Sequence, residues 1–236
     1  MRLARSLSFL LILLVITPPF AILVLLAAPM PRLPRYRFIT RWTRVVMWLV
    51  WHVLGIRHVV KGAEHLPHHP AIILAKHQSA WETLAFQTIF PPQAWVLKRE
   101  LLWIPFFGWG LAMFSPIAIN RASRSDAFKR LVEQGLERLN QGFWITIFPE
   151  GTRTAPGKRR RYKIGGAWLA VKTGTLVVPV AHNAGLLWGR NAFVKRPGLI
   201  TVEIGEPIDP AGMTPEELIK RVEDWIESRM TALCPR

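Results

Sequence analysis

The sequence predicts an α/β protein: a mixed, largely parallel β-sheet flanked by helices, with an N-terminal helical membrane anchor in front of it. Three observations lead there. Short apolar runs of strand length alternate with helical patterns through the C-terminal part of the chain. The longest charge-free apolar stretch lies at the very front. The composition joins 50% hydrophobic residues to a net charge of +16, from 31 Lys plus Arg against 15 Asp plus Glu. Half-apolar composition over 236 residues supports a sizeable core and excludes a disordered chain. The basic excess calls for an anionic partner: nucleic acid, membrane surface or phosphorylated substrate. A positive mean hydropathy of +0.21 and 11 Trp against 2 Tyr favour the membrane, since Trp gathers at bilayer interfaces. The single cysteine, Cys234, excludes an internal disulfide and any cage built on several thiolates.

Taken in order, residues 1–56 read as the helical anchoring segment and 57–236 as the globular domain. Residues 7–28 carry no charge and are long enough to cross a bilayer core. Pro18 and Pro19 remove two backbone donors in the middle of the stretch, so a kinked or broken helix stands beside an uninterrupted one. A cleaved signal peptide is the rival reading of this basic-then-apolar start, although Leu26-Ala27-Ala28 makes a poor cleavage site. The second apolar stretch, residues 45–56, is too short to span and suits a buried or interfacial helix. Between the two lie Arg32, Arg35, Arg37, Arg41 and Arg44, against Arg2 and Arg5 at the start. That bias places the middle flank and the domain after it on the cytoplasmic side, at the inner membrane of a bacterium.

Downstream, residues 71–75, 94–97, 117–119, 143–148, 176–180 and 199–204 have strand length and composition. Residues 126–140 repeat apolar positions near every 3.6 residues (Phe128, Leu131, Val132, Leu136, Leu139), and Gly142 ends the pattern. The last helix opens on Thr214-Pro215-Glu216-Glu217, a capping box with proline in the first turn, and turns Leu218, Val222, Trp225 and Ile226 inward.

The residues able to do chemistry cluster after predicted strands, where α/β sheets place their ligands. Lys76-His77-Gln78-Ser79-Ala80-Trp81-Glu82 follows the apolar run at 71–75. On one continuous helix His77 and Glu82 would point about 140° apart. Split between a strand end and the next helix's first turn, they can meet, the carboxylate holding one ring N–H and freeing the other nitrogen to take a proton. Phe148-Pro149-Glu150-Gly151-Thr152-Arg153 follows another apolar strand. Gly151 admits close approach of backbone to an anion, and Arg153 offers a forked donor for phosphate oxygens. Glu150 can orient that arginine or His77, or bind a substrate hydroxyl. Lys98 and Arg121 each follow a predicted strand and join Arg153 at one mouth if the fold brings those strand ends together. The run Lys158-Arg159-Arg160-Arg161-Tyr162-Lys163 reads as a solvated face that attracts lipid headgroups or a phosphorylated co-substrate. His182 has no partner in sequence and reads as structural. Cys234 sits in a terminal tail unsuited to a nucleophile, and no Gly-x-Ser-x-Gly elbow surrounds Ser79.

In order and spacing, these segments resemble the 1-acyl-sn-glycerol-3-phosphate acyltransferase (lysophosphatidic acid acyltransferase) family over roughly residues 55–210. Its His-x-x-x-x-Asp block reads His77 to Glu82 here, with Glu in place of Asp. Its second block resembles the stretch from Lys98 to Ile117-Ala118-Ile119-Asn120-Arg121, its third is matched by residues 148–153, and its apolar run closing on proline resembles Val177-Val178-Pro179-Val180. The resemblance implies a glycerophosphate acyltransferase-like fold. It also implies transfer of a fatty acyl group from acyl-CoA or an acyl carrier protein thioester to the sn-2 hydroxyl of 1-acyl-sn-glycerol 3-phosphate, giving phosphatidic acid. His77 is then the general base and Glu82 its orienting acid. Lys98, Arg121, Glu150, Gly151, Thr152 and Arg153 bind the acceptor, and no metal or cofactor beyond the thioester is called for. The lysophospholipid acceptor and the bilayer are the expected partners, with no nucleic acid. Another lyso-lipid acceptor, such as lysophosphatidylglycerol or an ornithine lipid, and a membrane-tethered nucleic-acid binder are the alternatives; a lipase is a weaker one.

Overall fold

The computed structural model describes residues 1–104, 107–120 and 124–234. Seven strands form one sheet: β1 (Ile56–Lys61), β2 (Ile72–Ala75), β3 (Gln93–Lys98), β4 (Ile117–Ile119), β5 (Trp144–Ile147), β6 (Val177–His182) and β7 (Gly198–Ile204). The helices are α1 (Arg2–Leu26), α2 (Arg32–His52), α3 (Trp81–Ile89), α4 (Phe107–Ala112), α5 (Arg124–Asn140), α6 (Gly165–Thr173), α7 (Ala184–Leu187) and α8 (Pro215–Leu233). Strand order is β1-β7-β6-β2-β5-β3-β4, with every neighbouring pair parallel except β6 and β7. The expected mixed, largely parallel sheet is therefore found, and the five strands β6, β2, β5, β3 and β4 all point their C-terminal ends at one edge.

The interior strands β2, β5 and β6 are buried at every position, as largely apolar strands covered on both faces should be. Pro179 survives within β6 because pairing with β7 starts only at Val180, so no ladder donor is lost on that side. On one face Ile72, Leu74 and Ile145 meet Leu131 of α5, Leu169 of α6 and Val222 and Ile226 of α8. On the other, Ile73 and Val178 meet Phe9 of α1, Val46 and Val50 of α2 and Phe86 of α3. The start of α8 is held by the anticipated capping box, Thr214 Oγ1 accepting from Glu217 N at 3.2 Å while the Glu217 carboxylate accepts from Thr214 N at 2.8 Å.

Two expectations need amending, and of two open readings of the first helix one is found. Residues 56–61, assigned to the end of the anchoring segment or passed over, form edge strand β1. Its exposed Arg57 and Lys61 hide the apolar alternation by which a strand is recognised. Leu136, expected on the inner face of α5, is 45% exposed; Gly135 takes the close approach instead, facing the Leu169 side chain. Helix α1 continues without a break through Pro18 and Pro19. Beyond them Phe20 stacks on Phe38 and Trp42 of α2, with centroids 5.7 and 6.3 Å apart, which holds the second half of the helix in line.

Helices α1 and α2 are not a separate unit, since Phe9, Val46, Leu49 and Val50 belong to the same buried cluster as the sheet. The Ser6 hydroxyl of α1 accepts from Lys195 N at 2.9 Å, and Phe9 meets Trp188 edge-on at 5.8 Å. At the other end of the helix, Arg35 donates to Ala28 O at 2.8 Å and to Met113 O at 3.0 Å. Both ends of α1 thus rest on the sheet domain. Its outward face presents Leu3, Leu7, Leu11, Leu14, Val15, Ile22 and Leu26, all exposed.

Candidate active site

His77 stands two residues beyond β2, at the edge where the parallel strands end. The backbone that carries it is bonded at every polar group. Lys76 N donates to Val180 O at 3.0 Å, and His182 Nε2 donates to Lys76 O at 2.8 Å. His77 N donates to Glu150 Oε1 at 2.9 Å, and Thr154 N donates to His77 O at 2.7 Å. Neighbouring β6 and the loop after β5 therefore fix the position of the imidazole before its side chain makes any contact.

The ring itself is held on an edge and a face. Nδ1 lies 2.8 Å from Glu82 Oε1, and the ring stacks flat on Phe148. Glu82 occupies the first turn of α3 and is fully buried. The same oxygen accepts from Gln78 N at 2.9 Å and Ser79 N at 2.7 Å, while Ser79 Oγ accepts from Trp81 N at 3.0 Å to start the helix. Chain reversal at 78–80 is what folds the pair together, and the longer Glu side chain reaches the ring without strain on that loop. Burial alone would raise the Glu82 carboxyl; the field of His182 and the hydrogen bonds from His77 and Ser79 outweigh it and hold it below the usual carboxylate range. An ionised Glu82 can only accept, so Nδ1 carries the proton and Nε2 presents its lone pair. The His77 side chain is 15% exposed, unlike that of Glu82, which is fully buried.

His182 is the structural histidine expected. It is fully buried, donates through Nε2 as above, and accepts at Nδ1 from Ala184 N at 3.3 Å. Burial pushes its pKa down, which keeps the ring neutral in that tautomer.

The segment after β5 supplies the anion-binding candidates. Gly151 adopts φ +71°, a left-handed backbone conformation that favours glycine, while a Cβ there would meet only the movable end of the Lys163 side chain. Thr152 and Arg153 are half-buried, two and one residues before the Thr154 amide that grips His77. Lys98 ends β3 and is exposed, at the same sheet edge. Arg121 lies outside the described residues. Glu150 corrects the expectation of a substrate contact: its side chain is wholly buried, accepting from His77 N and lying 3.3 Å from Lys76 Nζ. It faces the interior because that buried cation draws it there. Cys234 ends up buried beneath the loop that carries His77, where burial pushes its thiol up and leaves it a poor nucleophile.

Sequence reasoning passed over Lys76 and Glu227 as partners. They lie 151 positions apart yet 2.7 Å from each other. The available signals were an ammonium closing an all-apolar strand and a carboxylate beside Ile226 on the inward stripe of α8.

A histidine–carboxylate pair stands at the C-terminal edge of a mostly parallel sheet, beside a glycine turn bearing Thr and Arg, an arrangement suited to an enzyme that works on a hydroxyl next to an anion. The comparisons agree. The acyltransferase family profile matches residues 57–183, and the chain belongs to that family. It is 45% identical over 214 residues to a 1-acyl-sn-glycerol-3-phosphate acyltransferase of Pseudomonas aeruginosa, covering 89% of this chain and 83% of that one. It is 28% identical to the mouse 1-acyl-sn-glycerol-3-phosphate acyltransferase alpha over 80% of this chain and 67% of the relative. The crystal structure of the 1-acyl-sn-glycerophosphate (LPA) acyltransferase PlsC from Thermotoga maritima superposes with a TM-score of 0.80 at 27% identity, covering 100% of this chain and 99% of that one.

Proposed function

We propose that this chain transfers a fatty acyl group from an acyl thioester to the sn-2 hydroxyl of 1-acyl-sn-glycerol 3-phosphate, forming phosphatidic acid for phospholipid biosynthesis. The observation that carries the reading is the 2.8 Å contact between His77 Nδ1 and a buried, ionised Glu82. It aims a basic Nε2 at the open edge of the sheet. In the forward step His77 Nε2 removes the hydroxyl proton as the oxygen attacks the thioester carbonyl, and Glu82 stabilises the imidazolium that forms. Collapse of the tetrahedral intermediate breaks the carbon–sulfur bond. The imidazolium returns the proton to the departing thiolate, leaving an ester and a free thiol. A thioester is already activated, so the chemistry needs no metal and no acyl-enzyme. Arg153, Lys98 and Arg121 are proposed to hold the acceptor's phosphate, with Gly151 and Thr152 shaping the loop. The donor is acyl-CoA or an acylated carrier protein, and the exposed cations of residues 158–161 suit the phosphates of either.

The exposed leucine face of α1 supports membrane association, and residues 1–56 act as the seating part for the catalytic domain of 57–236. Because both ends of α1 rest on the domain, we favour a helix lying along one leaflet over one crossing the bilayer. The arginines of α2 favour the cytoplasmic face.

The test is direct: purified protein, labelled acyl-CoA or acyl carrier protein, and a panel of lysolipids, with products identified. Phosphatidic acid formed from lysophosphatidic acid supports the reading. A different acylated lipid redirects it to another acceptor, and free fatty acid alone contradicts acyl transfer.

A further inference from the structure

We propose that Lys76 and Glu227 are positioning residues for the acyl transfer, a relay through which the C-terminal helix α8 sets the catalytic histidine; the inference rests on the reading of His77 as general base. The contacts form one chain. Glu227 Oε1 lies 2.7 Å from Lys76 Nζ, and Lys76 Nζ lies 3.3 Å from Glu150 Oε2. The other Glu150 oxygen accepts the His77 backbone N–H at 2.9 Å. Lys76 and Glu150 are each 1% exposed and Glu227 is 6% exposed, so water does not screen the set.

Charge accounting shows why each member is needed. Two buried carboxylates share one buried ammonium, and the remaining charge is met at the surface by Arg159 Nε, 3.4 Å from Glu227 Oε2. Tyr162 OH donates to Glu227 Oε1 at 3.0 Å. One carboxylate of α8 therefore ties down the residue before His77 and the basic loop that follows the Gly-Thr-Arg turn. Fold stability does not explain the arrangement, because a buried ion pair is generally no more stable than well-packed apolar residues of the same volume. Its place does: it holds the acceptor that fixes the backbone amide of the base. A displacement of the base by about 1 Å can cost on the order of a hundredfold in rate.

The experiment compares wild type with Lys76→Met, Glu227→Gln and the double variant in full-length protein. It measures kcat per folded molecule, acceptor KM and melting temperature. We expect kcat to fall about tenfold to a hundredfold in each single variant with acceptor KM within about twofold, since only alignment of the base is disturbed. The double variant should be no slower than the slower single, because both act through the same chain of contacts. A lowered melting temperature with kcat within twofold of wild type, or losses that multiply in the double variant, would overturn the relay. Glu227→Gln matches the native shape and keeps an oxygen facing Lys76, so it decides the matter if Lys76→Met does not fold. His77→Ala serves as control. An active His77→Ala brings down the general-base reading itself, whereas an inactive one beside an undiminished Glu227→Gln removes the relay alone.

Discussion

The imidazole of His77 lies on the ring of Phe148, centroids 3.9 Å apart and planes 10° from parallel. The residue that opens the Pro-Glu-Gly-Thr-Arg turn is thus the floor on which that imidazole rests, while Glu82 holds its edge. Removing the floor should let the ring tilt. Phe148→Ala is expected to lower kcat by roughly tenfold with little change in acceptor KM, an alignment effect. Steady-state kinetics over a range of acceptor concentrations checks it.

Glu82 stands where the His-x-x-x-x-Asp pattern that the sequence resembles has Asp, and one oxygen serves three donors from His77, Gln78 and Ser79. Glu82→Gln should lower kcat by about a hundredfold or more, because the amide neither fixes the tautomer nor stabilises the imidazolium. Glu82→Asp, shorter by one methylene, should fall between the two, since it cannot reach all three donors from the same helix turn. An undiminished Glu82→Gln enzyme contradicts the pairing.

Arg153→Ala should act on binding. Loss of the proposed charge-assisted phosphate contact, about 1.5–3 kcal/mol, predicts an acceptor KM raised roughly tenfold to a hundredfold with kcat less affected. Gly151→Ala, at φ +71°, should cost about 1 kcal/mol of stability and raise acceptor KM as the loop shifts. Denaturant melts and acceptor titrations separate the two effects.

His182 makes stability depend on pH. Burial lowers its folded pKa, so on unfolding it returns to an ordinary value near 6.5. Its contribution is complete above that value and is lost as pH falls from about 6.5 toward the lower folded value, because the unfolded chain then binds the extra proton. The depressed Glu82 carboxyl adds a second loss at lower pH, starting near the ordinary glutamate value and continuing down through its folded one. Melting temperatures at pH 7.5 and 5.5 should therefore differ less in His182→Gln than in wild type. Equal differences would show that His182 does not titrate as described.

Deleting α1 is a poor test of anchoring, since Phe9 and Val24 are part of the buried interior. Substituting Lys for the exposed Leu11, Leu14 and Val15 leaves the packing intact. This variant should shift from vesicles to solution in flotation assays while still acylating detergent-dispersed acceptor. Unchanged flotation would assign the membrane contact to another surface.

The interior of the sheet is legible because β2, β5 and β6 are largely apolar, Thr146 and His182 being the exceptions, a composition that burial on both faces accounts for. Edge strand β1 was not, since half of it faces water and reads as polar. His77 and Glu82 could be paired because five residues separate them across a strand–helix junction. Lys76 and Glu227 could not, as their meeting depends on α8 returning along the sheet after β7, a tertiary event without a local pattern. Of the readings its motif offers, Glu150 takes the one that orients His77, accepting that residue's backbone amide from inside the domain and not facing outward. A carboxylate in a motif reads as facing substrate until the buried ammonium drawing it inward is seen.

The central claim is that His77 removes the proton from the acceptor hydroxyl. The most direct measurement is acyl transfer by purified His77→Ala, with labelled thioester and lysophosphatidic acid at saturating concentrations. A fall in turnover of about a hundredfold or more with acceptor binding retained is the predicted result; phosphatidic acid formed at near wild-type rate would contradict it.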